Sequence, residues 1–241
     1  KKLEDEIEIV SHMIDAINAE GVKRFEIYIN DLALFAALLD DLNLQQRQKT
    51  RLMRSFAHGG TFKTTLDALS QQTTFIARDF PYNSSETIAG RTGADILARY
   101  KDKRSAADSE PLSKAIVEHL LAFSALNCAA NKLRETIVQI GIQVGPYLEE
   151  AIKHFEARYE KLNTLIPNTP LIFSATRGRK LAYYTGFVFE ICVPALGPRQ
   201  IIVSGGRYDD LLAALKAPQA MPAVGAAMAY ERVREAAGQS Q

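Results

Sequence analysis

The stretch of sequence that decides the fold is Arg179–Glu190, which reads RKLAYYTGFVFE. Its second half alternates phenylalanine with other residues, and this period of two predicts a β-strand with one apolar face. Tyr183 and Tyr184 stand at the predicted start of the strand, where neighbouring side chains point to opposite faces, so only one of them is expected to face a given cavity. A tyrosine suits a flat polar ligand because it combines an apolar ring with a hydroxyl, although ordinary strand packing is the simpler interpretation of the pair alone.

A second stretch, Ser204–Asp210, reads SGGRYDD and follows a strand predicted at Gln200–Ser204. The consecutive glycines Gly205 and Gly206 let a backbone approach a ligand closely. Taken alone, the stretch is more simply interpreted as a turn from a strand into a helix, with Asp209 helping to cap that helix.

A third stretch, Pro222–Val233, reads PAVGAAMAYERV and predicts a short strand that leads into a helix from Met228. The arginine near its end, Arg232, is a residue type that stacks on aromatic bases and holds phosphates. An exposed helix arginine is the simpler interpretation of this position when it is considered alone.

The order and spacing of the three stretches resemble class II histidyl-tRNA synthetases, in which the corresponding motifs read RGLDYYTG, GGRYD and PAVG with a closing Glu-Arg. The resemblance covers essentially the whole chain, by motif in the last third and by layout before it. It implies an α+β fold, with a class II aminoacyl-tRNA-synthetase-like antiparallel sheet core and a mostly helical insertion. The implied core comprises residues 1–44 and 167–241, and the implied insertion comprises residues 45–166.

The same resemblance implies the residues of the site. Five positions match the histidine pocket of the family, namely Tyr183, Tyr184, Gly205, Gly206 and Tyr208. Arg179 matches the arginine that acts on the activated carboxylate and α-phosphate in the synthetases. Arg232 matches the arginine that stacks on adenine.

Hydrophobic periodicity predicts the remaining elements. Before the insertion, the pattern predicts a helix from Leu3 to Ile17 that stops at Gly21, a strand at Arg24–Asn30, and a helix capped by Asp31. Within the insertion, helices are predicted at Gln45–Ala57, Thr61–Leu69, Ser84–Tyr100, Pro111–Gln139 and Gly145–Leu162, and a break within Pro111–Gln139 stays an open alternative. After the insertion, the pattern predicts a strand at Pro170–Thr176 and a helix at Tyr208–Leu215.

Composition argues against several classes of function. The 29 basic residues are balanced by 28 acidic ones, so the basic excess typical of nucleic-acid binding is missing and tRNA is not expected as a partner. Apolar runs are too short to cross a bilayer. Cys128 and Cys192 lack metal-ligand spacing and the four histidines are scattered, so we expect no metal or cofactor, and reduced thiols in a cytoplasmic protein.

Two residues depart from the synthetase motif: Lys180 replaces glycine and Ala182 replaces aspartate. Both changes disfavour adenylate chemistry and leave the paired tyrosines intact. Only nine residues follow Arg232, where a synthetase continues into a further domain. At the other end, a helical pattern is already running at Leu3, so residues upstream of Lys1 are expected to be missing. Together these features resemble the regulatory subunit of ATP phosphoribosyltransferase, a paralogue of the synthetases.

This second resemblance implies a regulatory, non-catalytic role at the first step of histidine biosynthesis. The implied partners are the short-form catalytic subunit in a hetero-octamer, a second copy of this chain in a homodimer, and L-histidine as the feedback inhibitor. Two alternatives stay open at this stage. One is that the chain is a catalytic-core fragment of a histidyl-tRNA synthetase. The other is that it is a stand-alone histidine-binding paralogue.

Overall fold

A computed structural model describes residues 3–58, 60–71, 87–88, 91–98, 110–178, 183–217, 219 and 221–239. The described strands are β1 (Glu26–Asp31), β2 (Thr87–Ile88), β3 (Arg91–Thr92), β4 (Asn127–Ala129), β5 (Leu171–Ser174), β6 (Phe187–Cys192), β7 (Ile201–Arg207) and β8 (Val224–Met228). The described helices are α1 (Leu3–Ala19), α2 (Leu32–Asp41), α3 (Gln46–His58), α4 (Phe62–Ser70), α5 (Lys114–Ser124), α6 (Leu133–Gln139), α7 (Pro146–Leu165), α8 (Leu211–Ala214) and α9 (Tyr230–Gln239). None of the helices in these ranges is long and apolar enough to span a membrane.

Six strands form one sheet in the order β4-β5-β1-β6-β7-β8. Strands β1 and β5 run parallel, and all other neighbours in this sheet run antiparallel. The expectation of an antiparallel core is therefore wrong for this one pair. Parallel strands need a long crossover connection, and the helical segment between β1 and β5 provides it.

Helices α2 and α7 cover one face of the sheet, and phenylalanine rings of the sheet are buried on this covered face. The ring of Phe155 on α7 packs edge-on against Phe173 on β5, with centroids 5.4 Å apart. On β6, the buried rings of Phe187 and Phe189 are stacked, with centroids 5.8 Å apart and nearly parallel planes. Burying one such ring contributes roughly 1.5–3 kcal/mol. The opposite face of the sheet, here called the open face, carries the alternate residues of the same strands, among them Tyr28 and its register partner Glu190.

Several predicted elements are confirmed. Helix α1 buries Val10, Ile14 and Ile17, and the chain leaves the helix through Gly21 at a φ of 96°. The side chain of Asp31 caps α2 by accepting a hydrogen bond of 2.9 Å from the backbone nitrogen of Ala33.

Other predictions are wrong in part. The helical stretch predicted at Pro111–Gln139 is broken between α5 and α6, as its open alternative allowed, but the strand β4 in the break, which pairs with β5 and adds an edge to the sheet, was not predicted. The helix predicted at Ser84–Tyr100 is confirmed at residues 93–98, but it is wrong at β2 and β3, which pair with each other as strands. The predicted helix at Tyr208–Leu215 is reduced to the single turn of α8. The boundaries of the core and insertion at 45 and 166 stay a prediction.

Candidate functional site

Three tyrosines of the predicted pocket form one aromatic cluster. The ring centroid of Tyr183 lies 4.7 Å from that of Tyr184, and the ring of Tyr208 meets Tyr183 edge-on at 5.6 Å. Both residues precede β6, so strand alternation does not separate their rings, and which of them faces a ligand stays a prediction. Tyr184 is 9% exposed and Tyr183 is 38% exposed, so the cluster has a buried side and an open side.

The hydroxyl of Tyr184 stays protonated well above neutral pH. Burial raises its pKa, and a hydrogen bond with Tyr183 and the negative charge of Glu190 add to the increase. Tyr184 therefore keeps a neutral hydroxyl in a partly desolvated place, where a hydrogen bond to a ligand is stronger than in water.

The two glycines of β7 are required by packing within the protein. A Cβ on Gly206 would lie 2.6 Å from the carbonyl oxygen of Phe187 and 2.9 Å from Cδ1 of Tyr184. A Cβ on Gly205 would lie 2.6 Å from the carbonyl oxygen of Gly225, on the covered face of the sheet. Gly206 thus lies directly beneath the ring of Tyr184, whereas Gly205 serves contacts between strands.

A buried acid lies next to the aromatic cluster on the open face. Glu190 accepts a hydrogen bond of 2.9 Å from Nη1 of Arg177, and the guanidinium of Arg177 lies 4.2 Å from the centroid of the Tyr28 ring. Burial works against the charge of Arg177, but the nearby thiol of Cys192, the carboxylate of Glu190 and its hydrogen bond raise the pKa of Arg177 overall. No role was predicted for Glu190, although an acidic residue inside an apolar strand is a signal of a buried polar contact.

Of the two arginines predicted at the adenylate site, Arg232 lies among the described residues and Arg179 does not. Arg232 donates a hydrogen bond of 2.9 Å from Nη1 to the carbonyl oxygen of Ile201, so its guanidinium is held against the start of β7. Arg179 lies outside the described residues, as do Lys180 and Ala182.

An ion network on the covered face ties the site to the helices. Glu6 accepts a hydrogen bond of 2.7 Å from Nε of Arg158 and one of 2.5 Å from Nε of Arg207. Arg158 also donates to Asp31 at 2.8 Å, and Arg207 donates to Asp209 at 3.1 Å. Burial opposes the charge of Arg158, but attraction to Asp31 and Glu6 outweighs it and raises the pKa of Arg158. The network therefore joins α1, α7 and the end of β7, where Tyr208 follows.

A cavity of about 450 Å³ lies against this ion network and between α2 and α7. Its wall includes Thr185 and Gly186 but none of the five predicted pocket residues. The cavity and the aromatic cluster are therefore separate features of the molecule.

Comparison with known proteins relates this geometry to a family. The sequence model described as histidyl-tRNA synthetase matches residues 94–233, which is more than half of the chain. Proteins named ATP phosphoribosyltransferase regulatory subunit are also similar: one from Chelativorans sp. is 30% identical over 238 residues, and one from Brucella anthropi is 28% identical over 242 residues. The alignments cover 89% and 90% of this chain but 63% of each relative, so the chain spans less than two thirds of their length.

Solved structures share the fold at lower identity. A protein from Bacillus halodurans described as an ATP phosphoribosyltransferase regulatory subunit/histidyl-tRNA synthetase superposes with a TM-score of 0.63 at 21% identity, covering 98% of this chain and 50% of that one. The histidyl-tRNA synthetase of Nostoc sp. superposes with a TM-score of 0.57 at 17% identity, covering 100% of this chain and 48% of that one. The expected class II synthetase-like fold is therefore confirmed, and the chain belongs to the histidyl-tRNA synthetase family.

Proposed function

We propose that this chain forms the histidine-binding part of a regulatory, non-catalytic subunit of ATP phosphoribosyltransferase. The observation that carries the proposal is the aromatic cluster of Tyr183, Tyr184 and Tyr208, in which the ring of Tyr183 contacts both of the others. Such a site offers apolar ring surface together with a hydrogen-bond donor, which suits the imidazole ring of L-histidine.

Two observations favour regulation over aminoacylation. The relatives that match along most of this chain are named as regulatory subunits, at 28–30% identity. In addition, Lys180 and Ala182 replace the glycine and aspartate of the synthetase motif, and these replacements disfavour adenylate chemistry. Residues Arg179 and Arg232 are accordingly proposed as remnants of an adenylate site.

The proposed partners follow from this role. The subunit would join the short-form catalytic subunit in a hetero-octamer and pair with a second copy of itself, in the cytoplasm. Histidine would act by binding one state of the assembly more tightly than another, and a coupling of about 1–3 kcal/mol corresponds to a change of about 5–150-fold.

Calorimetric titration of the full-length protein with L-histidine tests the pocket. Tyr184→Phe keeps the buried ring and removes the hydroxyl, so we expect affinity to fall about tenfold, as for the loss of a desolvated hydrogen bond. Tyr230→Phe is the matched control, because Tyr230 is 54% exposed on α9. Unchanged affinity in Tyr184→Phe and in Tyr184→Ala would place histidine elsewhere.

Exchange of pyrophosphate into ATP tests the alternative of a synthetase. A non-catalytic subunit gives no histidine-dependent exchange with the full-length protein, whereas a histidyl-tRNA synthetase does. Exchange at a rate that rises with histidine would contradict the proposed regulatory role and would leave the histidine pocket intact.

A further inference from the structure

We propose that Thr185 is a positioning residue, whose hydroxyl fixes two tyrosine-bearing segments relative to each other. The part of this proposal that concerns histidine rests on the proposed function. The two segments are Tyr183–Tyr184, before β6, and Tyr208, after β7. Their rings belong to one cluster, but they reach it from different loops. The geometry of such a cluster depends on the contacts that fix the two loops relative to each other.

The side chain of Thr185 contacts both neighbours of Tyr208. Its hydroxyl oxygen accepts a hydrogen bond of 3.1 Å from the backbone nitrogen of Asp209. The same hydroxyl donates to the carbonyl oxygen of Arg207 at 3.4 Å. One hydroxyl thus uses both its donor and its acceptor capacity on the residues immediately before and after Tyr208. We call these two hydrogen bonds the Thr185 bridge.

The backbone of Thr185 strengthens the same connection. Its nitrogen donates to the carbonyl oxygen of Arg207 at 2.8 Å, and Thr185 directly follows Tyr184 in the chain. Any displacement of the chain at Tyr184 is therefore transmitted to the residues that flank Tyr208.

The far side of the bridge is anchored in the protein. The side chain of Arg207 is 4% exposed and donates to Glu6 at 2.5 Å and to Asp209 at 3.1 Å. The backbone nitrogen of Tyr208 donates to the carbonyl oxygen of Ala223 at 2.8 Å. Since the Tyr208 segment is held at both of these points, the Thr185 bridge orients the Tyr183–Tyr184 segment against a fixed partner.

The substitution Thr185→Val keeps the branched shape and removes the hydroxyl, whereas Thr185→Ser keeps the hydroxyl and removes a methyl group. Thr164→Val is the matched control, since the Thr164 hydroxyl donates only within α7, to the carbonyl oxygen of Glu160 at 2.9 Å. Two quantities are measured on the full-length protein. They are the nuclear Overhauser contact between the rings of Tyr183 and Tyr208, with tyrosine isotope labelling, and the dissociation constant for L-histidine.

The proposal predicts that Thr185→Val loses the ring contact and binds histidine about tenfold more weakly, as expected from losing one or two hydrogen bonds of ordinary net strength. Thr185→Ser and Thr164→Val are expected to keep the ring contact and to stay within about twofold of the unsubstituted protein. A ring contact that survives in Thr185→Val would overturn the proposal. So would its equal loss in Thr185→Val and Thr185→Ser, because the hydroxyl would then not be its cause.

The ring contact does not involve histidine, so it separates this proposal from the proposed function. If the unsubstituted protein bound no histidine while only Thr185→Val lost the ring contact, the Thr185 bridge would stand and the histidine pocket would be refuted.

Discussion

Nε of Arg207 donates a hydrogen bond of 2.5 Å to Oε1 of Glu6, across 201 positions of sequence. The other carboxylate oxygen of Glu6 accepts from Arg158 on α7. All three residues are at most 7% exposed, so the charges are compensated inside the protein rather than by water. The strand that leads to Tyr208 is therefore fixed to two helices by a buried ion network.

Removing one member of this network is expected to be costly. Arg158→Met leaves Glu6 and Asp31 without the shared guanidinium, and breaking a buried ion pair in this way typically costs about 3–5 kcal/mol of unfolding free energy. The control is Lys161→Met, one helical turn along α7, where the exposed pair with Glu4 at 2.6 Å is expected to contribute roughly 0–1 kcal/mol. Urea denaturation measures the free energy of unfolding of both variants. Equal losses of unfolding free energy in the two would contradict a stabilising role of the buried network.

Adding a methyl group beneath the Tyr184 ring is expected to destabilise the protein. In Gly206→Ala the new Cβ would meet backbone oxygen at 2.6 Å and the Tyr184 ring at 2.9 Å, and overpacking of this kind costs about 1–3 kcal/mol. In Gly238→Ala the new Cβ meets no atom within 4 Å, and alanine favours the helix by about 0.5–1 kcal/mol. Thermal unfolding should therefore shift in opposite directions, and a neutral Gly206→Ala would disprove the close packing of Tyr184 on β7.

The burial of Tyr184 predicts a loss of stability in alkali. Its pKa is raised above the ordinary value of 10.0, chiefly by burial, so the unfolded chain releases the phenolic proton at a lower pH than the folded chain. The associated stability is fully present below about pH 10 and is lost as pH rises above it. Tyr184→Phe should reduce the fall in unfolding free energy between about pH 9 and pH 11. Tyr230→Phe is the control, since Tyr230 is exposed. If the unfolding free energy of Tyr184→Phe depended on pH as in the unsubstituted protein, the Tyr184 hydroxyl would not be buried.

The two cysteines should differ in reactivity. Cys192 is fully buried, and burial raises its pKa to about 12, so little thiolate forms near neutral pH. Cys128 is partly exposed on the edge strand β4, although burial also raises its pKa. Iodoacetamide at pH 8 should alkylate Cys128 first. The variant Cys128→Ser should react only on unfolding, and rapid labelling of this variant in the folded state would contradict the position assigned to Cys192.

The sequence was informative wherever a feature is encoded locally. The period of α1, the cap at Asp31 and the two-residue alternation of β6 each depend on neighbours in the chain, and each prediction was confirmed. Strand β4 was missed because three residues are too few to display a period. Their strand conformation depends on pairing with β5, which is distant in sequence.

The site was predictable only in part, for the same reason. The tyrosines and glycines were found through a motif with fixed spacing, although their individual roles stay proposals. The contacts of Glu190 with Arg177 and of Glu6 with Arg158 form only after the sheet and helices assemble. The pair Glu6–Arg158 spans 152 positions, so no local pattern reveals it.

The central claim is regulation by histidine, and reconstitution tests it most directly. The full-length protein is mixed with a short-form ATP phosphoribosyltransferase catalytic subunit, and phosphoribosyl transfer is measured with and without L-histidine. We expect the protein to stimulate transfer and histidine to suppress the stimulated rate by a factor within about 5–150. Histidine binding without any effect on the rate would contradict the regulatory role and favour a stand-alone histidine-binding paralogue.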